Sequence, residues 1–296
     1  MDGHAELLDA RLLTRLERLQ LGTRRRLAGV LAGEHRSPLR GSSLEFSDHR
    51  PYTPGDDIRR IDPHLYARLD VLMIKLFEAE DDLALRLLID TSASMGMSGK
   101  LTQAARLAAA LGFVGLVRRD TVSVHAFPGD TSSGSGLAMR RFRGRAASSE
   151  LFDHLAALSA SGRTPFLAAA GRLLAQPGPP GLTVLVSDLL TPEWIGGLDR
   201  LPARGGDVAV VHVLGREDLD PDLVGDLDLV DVEGGPSVAA SCSPETLEAY
   251  RRHAAAWADE VAGRCRSRRV GYVRVNADDD IEGALLGPAR MSGILR

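Results

Sequence analysis

Asp90, Ser92 and Ser94 fall at alternate positions directly after an apolar run, Ala84-Leu85-Arg86-Leu87-Leu88-Ile89. Two further groups of oxygen-bearing residues lie downstream. Gly162-Arg163-Thr164-Pro165 is one, and Ser187-Asp188, after Val184-Leu185-Val186, is the other. Asp90 and Asp188 supply carboxylates, and Ser92, Ser94 and Thr164 supply hydroxyls, with no Cys or His among them. An all-oxygen set selects a hard cation: Mg²⁺ first, Mn²⁺ or Ca²⁺ less exclusively. Two carboxylates with neutral hydroxyls satisfy such an ion only in part and leave it electrophilic. A carboxylate from another molecule could then complete the shell. The plainer reading is that Asp and Ser are turn residues, Thr164 a helix cap and Asp188 a loop residue. What favours a site is that each group ends a predicted strand or starts a predicted helix.

The elements around these groups alternate. Residues 84–90 read as a strand buried on both faces. Residues 100–117 read as an Ala- and Gly-rich helix, 121–127 as a second strand and 137–143 as a third. Only Pro128 to Gly136 separates the last two, too few residues for a parallel crossover, so they must form an antiparallel hairpin. Arg140, Arg141 and Arg143 suit an exposed edge. Residues 148–160 predict a helix capped by Ser148 or Ser149, and Thr164-Pro165 opens another with proline at its first position. Strands follow at 182–187, 208–214 and 270–275, with helices at 192–201, 244–266 (capped by Ser243) and 281–286. A Gly234-Gly235 turn between apolar runs at 224–240 suggests a small hairpin. The pattern predicts an α/β fold: a doubly wound, mostly parallel sheet with one antiparallel edge strand, plus an N-terminal helical and extended segment. Ligands of such sheets bind at the carboxyl ends of the strands. Asp90 and Asp188 meet there if strands 84–90 and 182–187 are neighbours.

The N-terminal part is different. Residues 5–32 have leucines near helical spacing and include Arg24-Arg25-Arg26, read as a solvated helix face, with Leu27 and Val30 suggesting an apolar anchor. Residues 33–63 are punctuated by Gly and Pro, and acid and base alternate too closely for a plain helix or strand. Glu45, Arg50, Asp56, Asp57, Arg59, Asp62 and Arg68 make up this charged network. An ion-pair network that pins a long loop is favoured over a functional surface. Residues 69–80 suggest a strand. The expected organisation is residues 1–80 as a helix and charged extended segment packed on the body, and residues 81–296 as the main domain.

The whole chain, 296 residues, is 44% hydrophobic and 26% charged, with a net charge of −4. That balance gives no general attraction to nucleic acid. Cys242 and Cys265 are too few for a disulfide scaffold. No secretory leader or membrane span is expected, so the expected location is the cytoplasm.

Asp90-Thr91-Ser92-Ala93-Ser94, then Thr164, then Asp188 resembles the metal-ion-dependent adhesion site of von Willebrand factor type A domains. Gly41, Glu45-Phe46, Arg50-Pro51-Tyr52, Pro54-Gly55-Asp56-Asp57-Ile58-Arg59, Ile61-Asp62, Ala67-Arg68 and Lys75 resemble the bacterial family named domain of unknown function 58. Asp231-Val232-Glu233-Gly234-Gly235 and Gly271-Tyr272-Val273-Arg274-Val275 are also similar to that family. The family usually has tryptophan where this chain has Pro63. The resemblance implies that Ser92, Ser94 and Thr164 contact a metal directly, while Asp90 and Asp188 hold it partly through water. It implies a metal-dependent protein–protein interaction module, a partner or adaptor of a MoxR-type AAA+ ATPase in a chaperone-like or complex-maturation role. The partner would supply an acidic residue. The alternative is a metal-dependent hydrolase using the same site. A dehalogenase-like phosphatase, however, needs a carboxylate at position 92, and His125 and His212 read as core histidines inside strands. No catalytic residue is therefore assigned.

Overall fold

The computed structural model describes residues 7–22, 44–79, 83–128, 138–179 and 181–296. The chain divides into two compact units, residues 32–82 and residues 1–31 with 83–296. The helix α1 (Ala10–Leu16) thus groups with the larger unit.

In the smaller unit, β1 (Leu44–Pro51) pairs antiparallel with β2 (Met73–Ala79), with an irregularity between Phe46 and Asp48. The charged run was expected to be neither helix nor strand, and this expectation fails over β1. Backbone pairing in a two-stranded ribbon does not require side chains to alternate in polarity. A helix that the sequence reading did not anticipate, α2 (Pro63–Leu69), lies between the strands. Its start signal was present: Asp62 accepts from the His64 and Leu65 amides, and Pro63 opens the helix.

The larger unit holds β3 (Ala84–Asp90), α3 (Lys100–Val117), β4 (Thr121–Phe127), β5 (Ala138–Arg143), α4 (Ser148–Ala156), α5 (Phe166–Ala175), β6 (Gly181–Ser187) and α6 (Trp194–Arg200). After these come β7 (Asp207–Leu214), the short α7 (Arg216–Leu219), β8 (Gly225–Leu229), β9 (Val238–Cys242), α8 (Pro244–Ser267), β10 (Gly271–Asn276) and α9 (Ile281–Leu286). Six strands form one sheet in the order β10-β7-β6-β3-β4-β5. Every pairing is parallel except β4 with the edge strand β5. A separate antiparallel hairpin, β8-β9, carries the Gly234-Gly235 turn.

Side-chain alternation on fully buried strands gives the sheet two apolar faces. Leu85, Leu87 and Ile89 of β3 share one core with α1, α3 and α4, while Leu88 joins Phe166, Leu198 and Val261 of α5, α6 and α8 on the other. Small residues let α3 lie close to the sheet. A Cβ on Gly115 would stand 3.1 Å from Val122 Cγ2 of β4. α3 is also apolar and long enough to cross a membrane by composition, but 78% of it is buried inside the unit.

Three local expectations change. Of the helix expected over 5–32, Ala10–Leu16 is helical and residues 19–22 are not. Beyond it Gln20 exchanges backbone hydrogen bonds with Arg296, and Leu21 bridges to Leu295, so pairing with the C-terminus overrides the leucine periodicity. Arg24-Arg25-Arg26 lies outside the described residues. Neither Ser148 nor Ser149 caps α4. Ala147, at the end of a 3₁₀ turn, holds that position, and Ser148 Oγ donates back to the Arg145 carbonyl at 2.6 Å. Pro165 stands just before α5 instead of opening it.

Candidate metal centre

The chain runs from β3 through α3 to β4 on one side, and β6 lies on the other side of β3. The crevice between the ends of β3 and β6 is therefore a point where strand order reverses, the usual ligand position in such a sheet. Asp90 is the last residue of β3, and Asp188 directly follows β6.

Asp90, Ser92, Ser94, Thr164 and Asp188 are all buried. Asp90 Oδ1 accepts the Ser92 amide at 2.9 Å, and Oδ2 accepts Ser187 Oγ at 2.6 Å. Ser92 Oγ and Ser94 Oγ share a hydrogen bond at 3.1 Å, in which either can donate. A 3₁₀ turn, Ala93–Gly96, turns the chain there. Thr164 reaches the same end of the sheet because its loop is sewn to the Asp90 loop. The Ala93 amide donates to the Gly162 carbonyl at 2.9 Å, and the Ser161 amide to the Thr91 carbonyl at 2.8 Å.

Burial, with the Asp188 charge adding to it, pushes the Asp90 carboxyl up to about 7. Two carboxylates in one dry crevice without enough positive charge produce this effect. Asp188 has a resident cation. Lys100 Nζ, on the first turn of α3, lies 2.8 Å from Asp188 Oδ2 and 3.0 Å from Asp218 Oδ2. Burial pulls the Lys100 ammonium down, but the two carboxylates outweigh it and the net shift is upward. The remaining Asp188 oxygen accepts the Leu190 amide at 3.2 Å, and the Asp188 carbonyl lies 3.0 Å from His212 Nε2.

His125 and His212 lie inside β4 and β7, buried, each held down to about 4 chiefly by burial. Neither is brought to Asp90 by its hydrogen bonds: His125 Nε2 pairs with Ser123 Oγ at 2.9 Å, and His212 Nδ1 with the Tyr272 hydroxyl at 2.9 Å.

Three neighbours of the site escaped the sequence reading: Lys100, Asp218 and Glu233. Lys100 left a trace, as a lysine beside Ala- and Leu-rich helix. Glu233, in the turn between β8 and β9, accepts the Thr164 hydroxyl at 2.8 Å and the Thr164 amide at 3.0 Å. Nothing in local spacing links residues 69 apart.

The charged network belongs to the smaller unit. Arg50 forks onto Asp56 at 2.7 and 2.8 Å, and Asp56 also takes the Thr53 amide. This holds the Asp56 carboxyl down at about 2, with the Arg50 hydrogen bond as the leading cause. Asp62 lies 3.0 Å from His49 Nε2, and Asp57 caps the 3₁₀ turn at Arg59. Arg59 and Arg68 are exposed, and Glu45 lies opposite Glu78 in the β1-β2 ladder. Gly41 lies outside the described residues.

The donor chemistry suits a small hard cation. Mg²⁺ bonded to oxygen at about 2.0–2.1 Å in an octahedron sets adjacent ligands about 3 Å apart. The Ser92–Ser94 separation of 3.1 Å, a hydrogen bond between the two hydroxyls, is also compatible with that spacing. Among the described residues no group of three or more His, Cys, Asp or Glu side chains is placed to bind a metal.

The chain is 29% identical over 283 residues to the uncharacterized protein Rv1480 of Mycobacterium tuberculosis, covering 92% of this chain and 87% of that one. Among solved structures it is similar to the conserved hypothetical protein BatB of Bacteroides thetaiotaomicron, with 15% identity, coverage of 71% and 98%, and a TM-score of 0.42. An aerotolerance-related membrane protein of Bacteroides fragilis matches with 16% identity, the same coverage and a TM-score of 0.41. The model of the family described as protein of unknown function DUF58 matches residues 48–260, most of the chain, and the protein belongs to that family.

Proposed function

We propose that the larger unit is a von Willebrand factor A-like docking module whose crevice binds Mg²⁺ and, through it, an acidic residue of a protein partner. The observation that carries this reading is the Ser92–Ser94 hydroxyl pair, buried beside Asp90 at the ligand spacing of a small hard cation. In this reading Ser92, Ser94 and Thr164 face the ion, and Asp90 and Asp188 hold it, partly through water. Bound there, the ion supplies an electrophilic centre for an incoming carboxylate. The protein's part is to fix the hydroxyls and keep the crevice dry. Lys100 partly neutralises Asp188 and so limits the charge that Asp188 offers an ion.

For the partner we propose a MoxR-type AAA+ ATPase. The support is the family resemblance of the Glu45–Arg68 run. We place the protein in the cytoplasm, where two free, buried cysteines suit a reducing compartment. The test is capture of the purified ATPase by the wild-type chain in Mg²⁺ and in EDTA, and by Ser92→Ala and Thr164→Ala. The expected result is loss of capture in EDTA and in both variants. Equal capture in all four sinks the metal-bridged reading.

A further inference from the structure

The turn that carries Glu233 is built to hold it in place. Asp231 accepts the Glu233 amide at 2.8 Å through Oδ1 and the Gly235 amide at 3.1 Å through Oδ2. Gly234 sits at φ +80°, where a side chain is strained, and a Cβ on Gly235 would stand 2.1 Å from Asp231 Oδ2. Arg163 ties the tip down, its guanidinium donating to the Glu233 carbonyl at 2.9 Å and the Gly234 carbonyl at 3.3 Å. The Glu233 carboxylate is thereby presented to both the hydroxyl and the amide of Thr164.

A carboxylate oxygen 2.8 Å from Thr164 Oγ1 is at the spacing of adjacent ligands on a small hard cation, about 3 Å. The Ser92–Ser94 and Thr164–Glu233 pairs are each at hydrogen-bond distance, and the loops that carry Ser92 and Thr164 are joined by the Ala93–Gly162 and Ser161–Thr91 backbone bonds. We propose that Glu233 is the site's own acidic ligand, taking the seat at Thr164 that a partner's Asp or Glu takes when it docks. This deepens the metal-dependent docking reading and rests on it. A tethered carboxylate competes at an effective concentration of about millimolar or higher. A single free carboxylate therefore does not displace it. A partner must lift the β8-β9 turn as well as reach the ion, which makes docking selective for a surface that engages the hairpin. Val230 and Val232 beside Glu233 are 77% and 50% exposed and offer that contact.

The test is Mn²⁺ titration of the full chain, read by water-proton relaxation, for wild type, Glu233→Gln and Glu233→Ala, with and without acetate. Gln keeps the side-chain length and an acceptor for Thr164 but loses the anionic oxygen, so a purely structural latch survives in it. The expected result is about tenfold or more weaker Mn²⁺ binding in both variants, in the range for removing a ligand's support. One more ion-bound water is also expected in each variant. Acetate restores binding in Glu233→Ala, whose seat is open, and leaves wild type unchanged. Wild-type affinity and hydration in both variants overturn the role of Glu233 and leave the metal site standing. Absence of Mn²⁺ binding by wild type overturns the docking reading and this inference together.

Discussion

Replacing Lys100 with methionine is expected to cost about 3–5 kcal/mol of stability, the usual loss when one partner of a buried ion pair is removed. Lys100 is 1% exposed and Asp188 0% exposed. At 2.8 Å, with an effective dielectric of about 20, the attraction is about 6 kcal/mol before desolvation is charged against it. Methionine fills the space of the lysine stem, so the loss reports the stranded Asp188 charge rather than a cavity. Asp218, at 19% exposure, regains water and contributes less. Urea unfolding at neutral pH measures the change. Lys100→Met with Asp188→Asn removes both charges and is expected to recover much of the loss, a coupling that a double-mutant cycle isolates. A loss below about 1 kcal/mol, the range of surface pairs, refutes the argument, as does a double variant no better than Lys100→Met alone.

The buried histidine of β4 gives a pH dependence. The fold holds His125 at about 4, below its unfolded value of about 6.5, so its contribution is full above about pH 6.5 and is lost as pH falls toward about 4. His125→Gln is expected to lose about 2 kcal/mol less than wild type between about pH 7 and about pH 5 in urea melts, and equal losses contradict this. In the smaller unit, Asp56 is expected to stay ionised down to about pH 2 in a carboxyl NMR titration, and Arg50→Gln is expected to move it back toward the ordinary Asp range. An unmoved titration curve rules out Arg50 as the cause.

Much of the larger unit was legible because its strands are buried on both faces. A near-continuous apolar run such as 84–90 has few other readings when Gly-rich helix and turn signals bound it. The antiparallel edge followed from loop length alone. The N-terminal region was less legible because long-range pairing decides it. Leu21 is extended because it meets Leu295, and β1 exists because β2 runs beside it. The site shows the same division. Asp90, Ser92 and Ser94 share one turn and could be read together. Thr164 and Asp188 could be placed once strand order was guessed. Lys100, Asp218 and Glu233 enter only through tertiary contacts, and they set how much charge the crevice keeps and what covers it.

In the proposed docking site the hydroxyls of Ser92, Ser94 and Thr164 surround a cation. A crystal structure grown in Mn²⁺, with data collected at the manganese edge, locates the ion directly. One anomalous peak is expected between these hydroxyls, at about 2.1 Å from each, with the Glu233 carboxylate at the same distance. A crystal in which manganese scatters elsewhere, or not at all, while this crevice holds only Lys100 and water, contradicts this expectation.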